Sequence, residues 1–480
     1  MSLAENPSLS PAAAEGLQGI LAAQRAGFLR DGPPSLQQRL AALDTLKRIL
    51  LENTNAFVEA VAADFGHRSR HETLLADIAP CIEGIKHMRK HLSGWMKPER
   101  RPTSINFLLA KARILRQPLG VIGIISPWNY PVYLAFSPIA AALAAGNRVM
   151  LKPSEFTPAT SALMARVLAA AFPQEQVATV LGGPEVGQQF SGLAFDHLLF
   201  TGATSVGRHV MRAAAENLVP VTLELGGKSP VIVDADYAMD KAVGSIVTGK
   251  LLNAGQTCIA PDYVFVADGK VDEFVDRTRQ QVAAMYPTLK DNPDYSSVVN
   301  ARHHDRLKGL IEDARSKGAR IIEINPANEH LDQQSAHKIA PTLILDATDD
   351  MKVMQDEIFG PLMPVKSYAR LEQAIDYVNS HPRPLALYYF GNDAARTEQV
   401  LSRTTSGGAC VNDTMMHIAQ EDLPFGGVGP SGMGSYHGHE GFLTFSHSKS
   451  VLYQSKLNIA AMVRPPYGKF IERVLGTLLK

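Results

Sequence analysis

Apolar residues recur at helical spacing early in the chain. Leu40, Leu43, Leu46, Ile49 and Leu50 form one stripe, so residues 11–63 are expected to be helical. Residues 73–91 continue in the same style, and Pro98-Glu-Arg-Arg-Pro102 breaks the period. From Ile105 to Arg116 the chain is apolar, basic and poorly periodic, which fits a hairpin arm outside the main body. The texture then changes. Short β-branched runs at 121–125, 149–151, 177–181 and 197–200 alternate with helix-like segments at 131–145, 160–171 and 207–216. That alternation predicts a parallel sheet covered on both faces, with ligands along the edge where the strands end. It resumes after Gly226, with strands expected at 231–233, 263–266, 320–323, 342–345 and 387–390. A second α/β domain at about 226–430 follows from this.

Composition narrows the function. Hydrophobic residues at 45% and charged residues at 20% suffice for a large core and exclude a chain that is mainly disordered. Lys+Arg and Asp+Glu both number 47, so the basic excess of a nucleic-acid binder is missing. The three cysteines, Cys81, Cys258 and Cys410, contain no CxxC pair. They cannot make a disulfide framework or a Cys-rich zinc site, no metal is expected, and a reducing compartment fits. The first residues lack a basic and an apolar signal region, and the longest apolar run, 132–146, is too short for a membrane helix. The chain reads as cytoplasmic, with no membrane partner.

Several short segments carry potential chemistry. His197-Leu-Leu-Phe-Thr-Gly202-Ala-Thr-Ser-Val-Gly207 reads as strand, Gly loop and helix, leaving backbone N–H groups and the positive helix end free to face an anion. It lacks one glycine of the dinucleotide fingerprint, and by itself the loop reads first as a plain tight βα turn. Cys258 follows Gly255-Gln256-Thr257, a flexible polar lead-in that suits a nucleophile presented at a turn. Cys81 and Cys410 read as ordinary core thiols. Glu224 stands among Val221, Leu223 and Leu225: it either faces water at a sheet edge or sits desolvated as a base. Gly226-Gly227 after it permits close approach of backbone to another group. Asn129, between two prolines, can donate to a developing oxyanion or simply shape a turn. Lys152 and Glu155 follow a strand, where a solvated loop is the ordinary reading.

Six blocks together decide more than each alone. Pro127-Trp-Asn-Tyr-Pro131, Lys152-Pro-Ser-Glu155, Phe200-Thr-Gly202 to Gly207, Leu223-Glu-Leu-Gly-Gly-Lys228, Gly255-Gln-Thr-Cys258 and Glu357-Ile-Phe-Gly-Pro361 occur in one order. In that order and spacing the chain resembles the NAD(P)-dependent aldehyde dehydrogenases over almost its whole length. Cys258-Ile-Ala-Pro-Asp-Tyr263, Pro424-Phe-Gly-Gly-Val-Gly and Gly434-Ser-Tyr-His-Gly438 are similar to the class 3-type branch. Ala283-Ala-Met-Tyr-Pro-Thr-Leu-Lys-Asp-Asn-Pro-Asp-Tyr295 and the segment 445–451 resemble the bacterial coniferyl aldehyde dehydrogenases within it.

The resemblance implies roles. Cys258 is the implied nucleophile, Glu224 the base and Asn129 the oxyanion donor. Trp128, Lys152, Glu155, Gly202, Gly207, Glu357 and Phe359 are the implied cofactor contacts, for NAD and with NADP also accepted. Tyr130, Thr257 and His437 are the implied lining of the aldehyde pocket. Ala203 departs from the pattern, since many relatives carry serine there against the pyrophosphate. The implied fold is α/β with two doubly wound domains, cofactor-binding at 1–97 and 119–224 and catalytic at 225–435. A small β element for oligomerisation, at 98–118 and 436–480, implies a homodimer. The implied reaction turns an aryl or cinnamyl aldehyde into its acid. Three alternatives stay open: a fatty or semialdehyde dehydrogenase, a thiol acyltransferase or hydrolase using Cys258, and a non-catalytic binding protein.

Overall fold

A computed structural model describes residues 11–104, 107, 109–332, 334, 336–456 and 464–479. Parts of the expected arm (105, 106 and 108) and of the expected C-terminal element (457–463 and 480) lie outside these residues, as do 1–10. The predicted N-terminal helices are Pro11–Asp31, Leu36–Glu52 and Thr54–Asp64. Ser35 starts the second of them with a capping box to Gln38, satisfying backbone donors the helix itself leaves open.

The first sheet has six strands in the order Gly432–Met433, Val221–Glu224, His197–Thr201, Val121–Ile125, Arg148–Lys152 and Val177–Thr179. All neighbours run parallel except Gly432–Met433, which pairs antiparallel with Val221–Glu224. Val121–Ile125 and His197–Thr201 are buried at every position, as parallel strands under helices on both faces must be. The helix Tyr133–Ala145 is buried on all sides. It packs on the sheet beneath helices Leu36–Glu52, Ala79–Trp95 and Gly438–Thr444.

The second sheet has seven strands, in the order Arg320–Glu323, Thr342–Leu345, Leu362–Tyr368, Tyr263–Ala267, Pro230–Val233, Ala386–Phe390 and Gly408–Val411. Only the first pair is antiparallel. Five of these strands match the sequence expectation. Leu362–Tyr368 was hidden by Pro364 and Lys366, which look foreign to a central strand. Gly408–Val411 was hidden by its brevity and its glycine.

A third, antiparallel sheet joins Glu99–Arg101, Lys111–Pro118 and Ser446–Tyr453, with Ser446 opposite Pro118 and Tyr453 opposite Lys111. Ser446–Tyr453 is largely exposed and polar, so no apolar alternation announces it. The helix Lys469–Leu478 closes the chain; Ile471 on it is buried, while Phe470, Leu475 and Leu478 are exposed. Among the described residues no helix is long and apolar enough to cross a membrane.

Candidate active site

Five adjacent strands of the first sheet run parallel, so their carboxyl ends share one edge. Glu224 is the last residue of its strand, Gly202 and Ala203 follow Thr201, Trp128 and Asn129 follow Ile125, and Lys152 ends its own strand. From the other side come Cys258, shortly ahead of strand Tyr263–Ala267, and Glu357, shortly ahead of Leu362–Tyr368. The carboxyl edge of one sheet thus meets the amino edge of the other.

The backbone ahead of Cys258 is left-handed at three successive residues, with φ of 53° at Asn253, 51° at Ala254 and 76° at Gly255. A Cβ on Gly255 would stand 2.3 Å from the Gly360 carbonyl oxygen, so only glycine fits there. The lead-in is polar, as read from the sequence, but it is not flexible. Gln256 is fully buried: its Nε2 donates to the Asn253 and Ser297 carbonyls, each at 2.9 Å, and its Oε1 accepts the Val299 N–H at 2.9 Å. Asn129 Nδ2 donates to the Gln256 carbonyl at 3.1 Å, and Tyr130 and Thr257 share a hydroxyl contact of 2.7 Å. The Asn253 amide nitrogen is held as well, donating to the Asn129 and Gln256 carbonyls at 3.0 and 3.2 Å.

Two cavities meet at the half-buried Cys258. One, of about 190 Å3, is lined mainly by apolar groups, with Leu75, Tyr130, Thr257, Met415, Ile418 and Phe425 among them. The other, of about 200 Å3, is lined by Trp128, Asn129, Gly202, Ala203, Glu357 and Phe359 among others. Glu224 lines both. His437 stands outside the apolar cavity, stacked on Phe425 and 3.2 Å from the hydroxyl of Tyr133, which does line it. Burial lowers its pKa to about 4, so it is a neutral supporting group.

Glu224 is 3% exposed, and neither carboxylate oxygen has a hydrogen-bond partner among the described residues. Gly432–Met433 pairs with its strand, that low exposure removes the water-facing reading, and burial pushes its carboxyl well above the usual range. Burial also pushes the Cys258 thiol up, and the Glu357 and Glu224 carboxylates add to that. The N–H groups of Cys258 and Ile259 face the sulfur and oppose the shift. A thiol, a buried carboxyl and a side-chain amide around one cavity junction suit addition to a carbonyl followed by hydrolysis.

Glu357 lies where a Cβ on Gly226 would stand, 2.3 Å from its Oε1, which has no hydrogen-bond partner among the described residues. Burial, then Asp262, raises its pKa to about 8, against the Gly227 N–H, Lys228 and Arg306. Lys228 Nζ pairs with Asp262 and donates to the Val353 and Asp356 carbonyls at 2.7 and 3.0 Å. Arg306 Nη2 donates to the Ile358 carbonyl at 2.6 Å. Trp128 packs edge-on to Phe359, with ring centroids 5.4 Å apart. Lys152, buried rather than solvated, pairs with Glu155 at 2.6 Å. Gly207 lets helix Thr204–Ala215 lie against Leu225, where a Cβ would come within 2.8 Å. Ala203 gives that helix no side-chain cap, so its first N–H groups are left for a ligand.

Residues 11–451 match the model of the aldehyde dehydrogenase family. The chain belongs to that family. It is 57% identical to a probable coniferyl aldehyde dehydrogenase of Caulobacter vibrioides, over 97% of each chain. It is 53% identical to a coniferyl aldehyde dehydrogenase of a Pseudomonas species, over 98% of each. The substrate-bound Staphylococcus aureus AldH structure superposes with a TM-score of 0.91 at 36% identity, covering 97% of this chain and 99% of that one.

Aldehyde dehydrogenases use NAD(P), and the second cavity fits such a group: it offers an unpartnered buried carboxylate oxygen at Glu357, an uncapped helix start and the Trp128 and Phe359 rings. Part of this aldehyde dehydrogenase's site carries no local sequence signal. Asp262 and Arg306 act on partners far along the chain, Arg68 stands in the loop before the helix Arg70–Thr73 that carries Glu72, and Asp77 lies in the turn after it.

Proposed function

We propose that this enzyme oxidises aryl or cinnamyl aldehydes, coniferyl aldehyde among them, to carboxylic acids with NAD(P)+. The observation that carries the reading is the position of Cys258 at the junction of an apolar cavity and a polar-ended one, with buried Glu224 on both. The names of the near relatives supply the aldehyde class.

In this reading Cys258 gives its thiol proton to water and adds as the thiolate to the aldehyde carbon, opening the C=O π bond so that the charge moves to oxygen. Asn129 Nδ2 and the Cys258 N–H meet the oxyanion of the thiohemiacetal; one such donor is worth about 2.7–4 kcal/mol of barrier. Bound NAD(P)+ supplies the hydride acceptor for the oxidation to a thioester. Glu224 then takes a proton from the water that hydrolyses that thioester. A carboxyl with a raised pKa is a stronger base when ionised, which suits the task. Glu357 and Phe359 hold the nicotinamide side, Lys152 and Glu155 the adenosine ribose, and the Gly202–Gly207 turn the pyrophosphate. The six-stranded sheet is the cofactor domain, the seven-stranded sheet the catalytic domain and the three-stranded sheet the dimer element. Three unpaired cysteines suit the cytoplasm.

Glu155 should disfavour a 2′-phosphate, but its pairing with Lys152 tempers the repulsion, so NAD+ is favoured only modestly. The test is NAD+ and NADP+ reduction across aryl, cinnamyl and aliphatic aldehydes. Highest kcat/KM on cinnamyl or aryl aldehydes with NAD+ is expected. Preference for aliphatic aldehydes or semialdehydes would overturn the substrate reading, and equal or better kcat/KM with NADP+ the cofactor preference. Absence of any reduced nicotinamide would favour a thiol acyltransferase or a hydrolase.

A further inference from the structure

A buried ionic cluster lies behind the oxyanion side of the site. Arg68 is 2% exposed, sandwiched with its guanidinium 5.0 Å from the Phe65 ring centroid and 4.8 Å from that of Tyr130. Its Nη1 donates to the Asn129 carbonyl at 2.6 Å and lies 3.7 Å from an Asp77 carboxylate oxygen. Asp77 accepts the Tyr133 N–H at 2.6 Å. One turn earlier, Glu72 accepts the Asn253 N–H at 3.1 Å and the Ser296 hydroxyl. Asn253 Nδ2 returns to the same Asn129 carbonyl at 3.0 Å. The helix carrying these acids widens to a π-turn at Leu74–Ile78, which turns Asp77 inward while Leu75 and Ala76 line the apolar cavity.

Burying an ion pair rarely gains stability, because desolvation offsets the attraction. Placement is the better account. The carbonyl of Asn129 receives two donors, one of them charged, and its side chain is held by the Gln256 carbonyl. Main chain and side chain of one residue are therefore fixed independently, and a donor preorganised toward a developing charge needs that. We propose that Arg68, braced by Asp77, is a positioning residue that aims the Asn129 amide at the oxyanion, while Glu72 steadies the Asn253 end of the Cys258 turn. This rests on the proposed role of Asn129.

The test is a double-mutant cycle on single-turnover NADH formation, with enzyme in excess over cinnamaldehyde and NAD+ saturating. Asn129→Ala should slow it about 10²–10³-fold. Arg68→Met, which keeps the apolar stem between the two rings, should slow it about tenfold. The double variant should be about as slow as Asn129→Ala alone, because Arg68 has nothing left to aim. Alkylation of Cys258 by iodoacetamide forms no oxyanion, so its rate in Arg68→Met should stay within about twofold, as should NAD+ affinity by calorimetry. If Arg68→Met does not fold, Arg68→Lys carries the same cycle, since it keeps a charge for Asp77 without the fork. Multiplicative losses, an unchanged rate in the Arg68 variant, or a parallel loss of alkylation would overturn the proposal. Full speed in Asn129→Ala would instead overturn the oxyanion reading beneath it.

Discussion

Burial raises the pKa values of Cys258 and Glu224 together, the two residues to which the proposed reaction assigns the chemistry. Cys258→Ala should abolish aldehyde oxidation while leaving NAD+ binding intact. Cys81→Ala should stay active, because that thiol is a core group bonded to the Asp77 carbonyl at 3.1 Å. Glu224→Gln keeps the shape and loses the base, so rapid mixing should show about one NADH per site and then slow turnover. A slow first turnover with no burst would place Glu224 earlier in the reaction. The same variant should alkylate faster wherever Glu224 is ionised, because removing a carboxylate that raises the Cys258 pKa yields more thiolate. The sign of the pH dependence follows. As the proposed base Glu224 would act only when ionised, so hydrolysis should rise with pH through its raised pKa and fall in acid. In Glu224→Gln that limb of kcat against pH should vanish. Glu224 was legible in sequence as a carboxylate among apolar neighbours, and Cys258 as a thiol with a polar lead-in. Arg68 was not: its partner Asn129 is a turn away in space but 61 positions along the chain.

Turns and strand ends carry the geometry that these side chains exploit. Gly226 is the clearest case. Its missing Cβ leaves room for the Glu357 carboxylate, so Gly226→Ala should displace that side chain without unfolding the sheet. Hydrogen bonds to a charged group are worth about 1.5–3 kcal/mol, so NAD+ Kd should rise about ten- to hundredfold. Fluorescence titration of the variant reads this directly, and an unchanged Kd would remove Glu357 from the cofactor contacts. Alternation of strands and helices gave away most of both parallel sheets before any coordinates, because a strand buried on two faces must be a continuous apolar run. The pattern failed where that constraint lapses. Ser446–Tyr453 pairs through its backbone with little of its surface covered, and Gly432–Met433 is held by a ladder of two residues. That short strand pairs Gly432 with Glu224, so the backbone beside the buried carboxylate is satisfied by the least legible strand.

Across the whole molecule, exposed apolar surface gathers at the C-terminus. Phe470, Leu475 and Leu478 project from a helix of ten residues, marginal by itself, beyond the three-stranded sheet. A second copy of the chain is the expected cover, so a chain ending at Pro466 should shift from dimer toward monomer by light scattering and melt lower. An unchanged dimer with unchanged melting would rule this out, and loss of liposome co-sedimentation would point to a lipid surface instead. The two-sided cavity has a separate consequence. In the proposed reading aldehyde and nucleotide reach Cys258 from different cavities: Leu75 and Met416 line one, and Glu357 and Phe359 the other. Leu75→Ala or Met416→Ala should therefore change KM among aryl aldehydes and leave NAD+ Kd where it was. A lineage built this way can drift in diet while its redox partner stays constant, since selection on one wall leaves the opposite wall untouched.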